Sequence, residues 1–405
     1  METVAGITAL RTVLGHRFRA NPAFELLERD RLPERLRSDL AGGSSTLADG
    51  VVLVPRSPGD GAEGGRQDGG ITAKILNVEA TALIRSLTGA GHLPGDVAAR
   101  GGDTNRAIAR LVLDGALEIE HGDRMVSGPA AHDAIFARAA RPPASGRLAA
   151  LSRQALRYGQ ALRMTDVRML SRRLYGFGTI PRHARWDLLM ESDNDAVGLL
   201  GLTRDGRAGR ILSADYEATT FPNWLSWLRA TDRPLTRPDL HYKLYVSPRP
   251  EAMVECFPAV VAVLAGMDVW SFKVGRGVLG LLRPDKIVAY FEDADRLHRV
   301  ARALARVLDG CPTQGVPFTA ESSVDGLVSW GIDPPPSEQV SASQPRQSWR
   351  YWIANQLASG LIHAQAAGGG VEPWEFAVDR LSLEGVDPAT WLPADTIWQD
   401  SEEGS

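Results

Sequence analysis

The chain has 405 residues, 45 basic and 49 acidic, with a formal net charge of −4 and 44% hydrophobic side chains. This is an ordinary globular composition with room for two or three domains, and its mild acidity argues against a general nucleic-acid binder but allows a local basic pocket. Two cysteines, Cys256 and Cys311, are too few for a disulfide framework or a zinc site, and no apolar run reaches the length of a membrane span. A cytoplasmic protein is expected, with neither membrane nor nucleic acid as a partner.

Residues 1–55 read as a helical segment that closes on a short strand, "GVVLVPR". Residues 56–70, which include "SPGDGAEGGRQDGG", read as a flexible linker. Residues 71–140 form a winged-helix-like module. "ILNVEATALIRSLTG" carries apolar residues at helical spacing. "DTNRAIARLVLDG" gives a second, capped helix, and "ALEIE" and "RMVSG" flank "HGD" as a two-stranded wing. Without a concentrated basic recognition helix this pattern does not point to DNA. The phrases "LNVEATALI" and "LVLDGALEIE" resemble leader-peptide recognition domains of ribosomally made peptide pathways; a simple packing module is the plainer alternative.

Residues 145–335 read as an α+β domain. Helical runs "LAALSRQALRYGQALR" and "DVRMLSRRLYGFGTIP" come first. Strand-like runs "HYKLYVS", "VWSFKVG", "KIVAYFE" and "GLVSWGI" then alternate with helical ones, which predicts an antiparallel or mixed sheet. Residues 336–405 read as a linker, an amphipathic C-terminal helix "SWRYWIANQLASGLIHAQ" and an acidic tail. The chain has no P-loop, HExxH or nucleophile elbow, and no cofactor and no metal is expected.

Arginine supplies nearly all of the positive charge; the only lysines are Lys74, Lys243, Lys273 and Lys286. In "HYKLYVS" strand alternation puts His241, Lys243 and Tyr245 on one face and Tyr242, Leu244 and Val246 on the other. In "VWSFKVG" Lys273 points away from Trp270, Phe272 and Val274. A lysine half-buried in a sheet near other cations has its charged form disfavoured, so it can take up a proton near neutral pH, which arginine cannot. "LLRPDKIVAYFE" adds Arg283 and Lys286 as charges suited to a phosphate, with Asp285 placed to orient one of them. Each residue alone has a plainer reading: Lys243 snorkelling from an exposed face, Lys273 guarding an edge strand, "RPDK" as a solvated turn. Three cation-bearing strands in one sheet favour an anion site. Arg276, Tyr290 and Trp330 stand beside these motifs as candidate substrate contacts. Trp224, Trp227, Trp349 and Trp352 read as packing at helical spacing.

The stretches "HYKLYVSPRPEAM", "FKVGRGVLGLLRPDKIVAYF" and "GVPFTAESSVDGLVSWGIDPP" resemble the phosphothreonine-lyase-like superfamily, and within it the Hop-type III effector family. Bacterial relatives of that family serve as lyase subunits in class V lanthipeptide and thioamitide biosynthesis. The resemblance implies a lyase that eliminates phosphate from phosphoserine or phosphothreonine in a precursor peptide. It implies Lys273 as the base, Lys243, Arg283 and Lys286 as phosphate holders, and no metal. The family carries a histidine two positions after the strand lysine, where this chain has Tyr245; the acid is then Tyr245 or His241. The implied partners are a leader-bearing phosphorylated peptide, a separate kinase subunit and a cyclase subunit. A lyase-fold scaffold that binds such a peptide without cleaving it is the alternative.

Overall fold

The computed structural model describes residues 10–28, 31, 51–55, 74–76, 78–137, 146–190, 192–230, 241–334, 348–368 and 370–393. The predicted linker at 56–70, most of the second linker and the acidic tail lie outside these residues.

The described part of the N-terminal segment starts with strands where helices were expected, β1 (Arg17–Ala20) and β2 (Phe24–Glu28), and ends on the expected strand, β3 (Val51–Pro55). Long-range pairing decides these short runs, because Phe18 and Phe24 must be buried and a strand places them inward. They are followed by β4 (Lys74–Leu76), α1 (Val78–Ser86), β5 (Gly91–His92), α2 (Gly95–Ala98), α3 (Gly102–Leu113), β6 (Leu117–His121) and β7 (Arg124–Val126). The order from α1 to β7 is that of a winged helix. Its wing turns through Gly122 at φ +61, a left-handed conformation that favours glycine at the start of a two-residue turn. β1 inserts between β5 and β6, so Arg17–Ala20 joins this module instead of a separate N-terminal unit. β2, β3 and β4 make a small second sheet.

The next helices are α4 (His132–Ile135), α5 (Arg147–Ala161), α6 (Val167–Tyr175), α7 (Ala184–Leu189), α8 (Asp193–Leu199) and α9 (Arg207–Asp215). The remaining elements are β8 (Tyr216–Phe221), β9 (Trp224–Arg229), β10 (Tyr242–Val246), α10 (Met253–Gly266), β11 (Ser271–Gly275), α11 (Gly277–Leu282), β12 (Ile287–Phe291), α12 (Ala294–Val307), β13 (Ala320–Glu321), β14 (Val328–Ile332), α13 (Trp349–Ala367) and α14 (Pro373–Ser382). Aspartates start two of the helices: Asp166 accepts the Met169 amide of α6 at 2.8 Å, and Asp293 that of Arg296 in α12 at 2.7 Å.

One seven-stranded sheet organises the second half in the order β13-β14-β10-β12-β11-β9-β8, with every neighbouring pair antiparallel. The fold is thus α+β with an antiparallel sheet. One face of the sheet (Leu244, Val246, Phe272, Val274, Ile287, Ala289, Phe291, Trp227, Val328) packs under α10 and α12 as the main core. The hydrophobic effect acts on that face, and the lysines of β10 and β11 are left to the other. α13 crosses the polar side. Gly331 of β14 lies so close to the Trp349 ring that a Cβ there would stand 2.9 Å from it, and this contact seats the start of α13 against the sheet. α13 was expected to be amphipathic but is buried on most sides, between α6 and α14 and against β14.

The winged-helix module is fastened to the region of α14 by two ion pairs and a hydrogen bond. Arg380 meets Asp114 at 2.6 Å, Arg110 of α3 meets Glu384 at 2.7 Å, and His132 meets Asp379 at 2.9 Å. The C-terminal half of α3 is thereby tied to the residues around α14 through Arg110 and Asp114. The two cysteines are side by side: the sulfurs of Cys256 on α10 and Cys311 after α12 are in contact, with Cα atoms 7.3 Å apart. Among the described residues no helix is long and apolar enough to cross a membrane, and no group of three or more His, Cys, Asp and Glu side chains is placed to hold a metal ion.

Candidate active site

Strand register builds the site. Lys243 on β10 stands opposite Tyr290 on β12, and Tyr290 opposite Ser271 on β11. In the next row Tyr245, Val288, Lys273 and Ser226 are aligned across β10, β12, β11 and β9. All of these residues share the face away from the main core. The alternation read in "HYKLYVS" and "VWSFKVG" is therefore the alternation of one polar face, with β12 pairing with both strands between them.

Lys273 is half-buried. Its Nζ lies 4.3 Å from the centre of the Trp224 ring and 5.4 Å from that of Tyr290. Among the described residues it has no carboxylate partner and no hydrogen bond. Burial lowers its pKa to about 8; Asp285 opposes the shift, while Lys243 and Arg283 add to it. Lys243 is buried and ion-paired with Asp333, with its Nζ 6.0 Å from the Tyr290 ring.

Arg283 forks onto Asp285, Nε to Oδ1 at 2.9 Å and Nη2 to Oδ2 at 3.0 Å, and its guanidinium carbon sits 4.8 Å from the Trp224 ring. Trp224 thus contacts both Lys273 and Arg283. Asp285 also accepts the Tyr175 hydroxyl at 2.8 Å and pairs with Arg350 Nη1 at 2.9 Å. Burial by itself would raise the Asp285 carboxyl, but Arg350 and Arg283 hold it well below the usual carboxylate range. Burial, helped by Asp285, pushes the Tyr175 phenol up to about 12. Arg350 is almost fully enclosed; it also donates to the carbonyls of Pro317 at 3.1 Å and Tyr175 at 2.8 Å. Four cationic side chains (Lys243, Lys273, Arg283, Arg350) and two carboxylates (Asp285, Asp333) make a net positive site suited to an anion.

The other expected residues divide. Tyr245 is buried in the floor of this site with Val288 and Val316, and burial keeps its phenol protonated far above its ordinary range. Tyr290 lies between the two lysines. His241 is exposed just before β10, and its carbonyl accepts the Asp333 amide at 2.8 Å. Arg276 is half-buried at the start of α11, past the end of β11. Lys286 is wholly buried and gives its protons to the Pro248 carbonyl at 2.8 Å and Gln314 Oε1 at 2.5 Å. It serves the sheet end, and burial lowers its pKa to about 7. Trp330 lies on the opposite face, packed against Tyr242 and His298 at ring distances of 6.3 and 5.3 Å. Period-2 alternation excludes it from the Lys243 face, since its register partner is Leu244.

Four residues of this site escaped sequence reading in that role. Trp224 was grouped with Trp227 at helical spacing, yet both are on β9, where a separation of three puts them on opposite faces. Trp227 stacks on Phe272 in the core, and Trp224 faces the lysines. Tyr175 closes α6, Arg350 opens α13, and Asp333 follows β14. Asp333 lies in the quoted stretch "GVPFTAESSVDGLVSWGIDPP" but was given no role there. The site therefore draws on the C-terminal helix, beyond the 145–335 stretch.

No protein-family model matches the chain, and no curated protein matches it in sequence. Solved structures similar to it include an effector protein from Pseudomonas syringae pv. syringae strain 61, at 12% identity and TM-score 0.38 over 62% of this chain and 100% of that one. The type III effector/phosphothreonine lyase OspF from Shigella flexneri matches at 12% identity and TM-score 0.23 over 30% of this chain and 75% of that one. The phosphothreonine lyase effector VirA from Chromobacterium violaceum matches at 14% identity and TM-score 0.23, over 34% and 76%.

Proposed function

We propose that this protein is a lyase that eliminates phosphate from phosphoserine or phosphothreonine in a ribosomal precursor peptide. The products would be dehydroalanine and dehydrobutyrine, as in lanthipeptide-type biosynthesis. The observation that carries the proposal is Lys273: an amine with lowered pKa and, among the described residues, no carboxylate paired with it, set among cations on one sheet face.

Neutral Lys273 takes the Cα proton of the phosphorylated residue. The electron pair of the C–H bond becomes the Cα–Cβ double bond, the Cβ–O bond breaks, and its electrons leave on the phosphate. Arg283 and Lys243 hold the phosphate and stabilise charge that builds on the adjacent carbonyl oxygen. Tyr245, buried and protonated, is better placed than the exposed His241 to return a proton to the leaving phosphate. Every atom is balanced by side chains and substrate, without a cofactor. A separate kinase must install the phosphate, and a cyclase can consume the alkene. The winged-helix module is the part of the chain assigned to the leader.

A second reading, a non-catalytic scaffold for the phosphorylated or dehydrated peptide, is favoured by Tyr245 standing where the family has histidine. Mass spectrometry of a phosphothreonine peptide incubated with the protein separates the two. Loss of phosphoric acid that vanishes in Lys273→Arg supports the lyase. An intact peptide that binds equally well to both proteins supports the scaffold.

A further inference from the structure

The two edges of the seven-stranded sheet differ. β13 is a two-residue strand, the short form in which edges are usually protected. β8 is six residues long, pairs only with β9 among the described residues, and is exposed from Glu217 to Phe221, with Phe221 51% exposed. Edge strands are commonly blunted by charged side chains, above all lysine, by proline or by a bulge. "YEATTF" has no lysine, proline or bulge and a single charge, Glu217, and its register with β9 is unbroken over six pairs. The strand is also held in place, because the Tyr216 hydroxyl donates to the Val269 carbonyl at 2.7 Å.

The register fixes which backbone groups are open. The hairpin turns through Pro222 and Asn223, and the Ala230 amide donates to the Asp215 carbonyl at 2.8 Å. Ladder bonds in an antiparallel pair come at alternate residues, so Asp215, Glu217, Thr219 and Phe221 bond inward to β9. The N–H and C=O groups of Tyr216, Ala218 and Thr220 therefore point outward from the sheet.

We infer that an extended segment of the peptide substrate docks along β8 as an added strand of the sheet that carries Lys273. This rests on the lyase reading for the nature of the peptide. The edge is continuous with the site, since Thr219, Ser226 and Lys273 are aligned in register on the same face. Strand addition supplies affinity through backbone bonds and tolerates varied side chains. With strands about 4.8 Å apart, the added strand lies roughly 14 Å from β11. At about 3.3 Å per residue, the phosphorylated residue must sit at least roughly four positions away from the docked segment.

The test uses two synthetic substrates: a phosphothreonine blocked at both ends, and a peptide with one phosphothreonine and a long flank rich in Thr and Val. Ala218→Pro and Thr220→Pro each remove an outward N–H while sparing the ladder to β9. Either change should raise KM for the long peptide at least about fivefold and leave kcat/KM on the blocked residue unchanged. With the native protein, N-methylation along the flank should weaken the long peptide at alternate residues only. That arm does not depend on a variant folding. A KM indifferent to both prolines, or insensitivity to N-methylation at every position, overturns the docking. If neither substrate loses phosphate, the lyase reading falls. Fluorescence anisotropy of the labelled long peptide then still reads the docking, which predicts weaker binding by Ala218→Pro. A dimer that Ala218→Pro dissociates, with peptide binding unaffected, would assign the edge to a second copy and overturn the proposal.

Discussion

Above neutrality, the rate of elimination should follow the neutral fraction of Lys273. Its pKa is lowered to about 8, chiefly by burial, with Asp285 pulling upward and Lys243 and Arg283 pushing down. At pH 7 about one-tenth of the amine is then neutral, against roughly 0.03% for an ordinary lysine, a gain of about 300-fold in active base. The sign is fixed by chemistry: the base is the unprotonated form, so kcat/KM rises about tenfold per pH unit below the Lys273 pKa and levels above it. The second ionisation of the substrate phosphate lies near 6, so the limb above pH 7 belongs to the enzyme. Lys243→Met removes a repelling charge and should move that limb to higher pH. Lys273→Arg keeps the charge but not the base and should cost about 100- to 10,000-fold. The assay is phosphate release from a phosphothreonine peptide across pH 7 to 9.5, with the alkene product counted by mass spectrometry. A flat profile, or a Lys273→Arg enzyme within tenfold of the native rate, would refute the assignment of Lys273 as base.

Four other outcomes are expected. Asp285→Asn leaves Arg283 and Arg350 without their shared partner in a buried place, and should lower stability in urea unfolding by about 3–5 kcal/mol. Lys286 has its pKa lowered to about 7 from 10.5, so between these values the unfolded chain holds a proton that the folded one does not. Stability should therefore rise with pH in that window, and Lys286→Met should flatten the rise, as urea midpoints at pH 7 and 9 would show. Tyr245→Phe should slow turnover by about 100-fold or more if Tyr245 is the acid, while His241→Ala should leave kcat within a few-fold, by the same phosphate assay. At the junction of the winged-helix module with α14, Arg380→Met strands the buried Asp114 and should cost about 3 kcal/mol, and adding Asp114→Leu should return most of it in a double-mutant cycle.

Much of the sheet was legible because strand alternation is a local property. "HYKLYVS" and "VWSFKVG" each told which residues share a face, and the lysines followed. What alternation cannot tell is the partner across the fold. Asp285 sits within a readable motif, but that it holds both Arg283 and Arg350 depends on α13 crossing the sheet. That crossing rests on a glycine, Gly331, lying under Trp349. Trp224 and Trp227 show the converse error. A spacing of three is helical only in a helix, and the Pro222-Asn223 turn between two runs rich in aromatic and β-branched residues was the local signal of the β8–β9 hairpin. The N-terminal strands failed for a different reason: β1 has only four residues and is held by β5 and β6 from much later in the chain.

The retention of lysine in an arginine-biased chain now has a physical account. Lys243, Lys273 and Lys286 are all buried or half-buried, where a charge costs free energy unless it is paired or shed. Arginine cannot shed its charge, and the enclosed arginines here need a carboxylate: Arg283 and Arg350 share Asp285, and Arg380 has Asp114. Lysine has two ways out. Lys243 takes the first, pairing with Asp333. Lys286 takes the second; its amine approaches neutrality and is bonded to the Pro248 carbonyl and the Gln314 amide. Lys273 also tends to neutrality, with the Trp224 and Tyr290 rings beside it. Among the described residues no group takes a hydrogen bond from it or gives one to it. Of the three, it alone combines a lowered pKa with an open partner position, and that combination is what proton abstraction from a bound substrate requires.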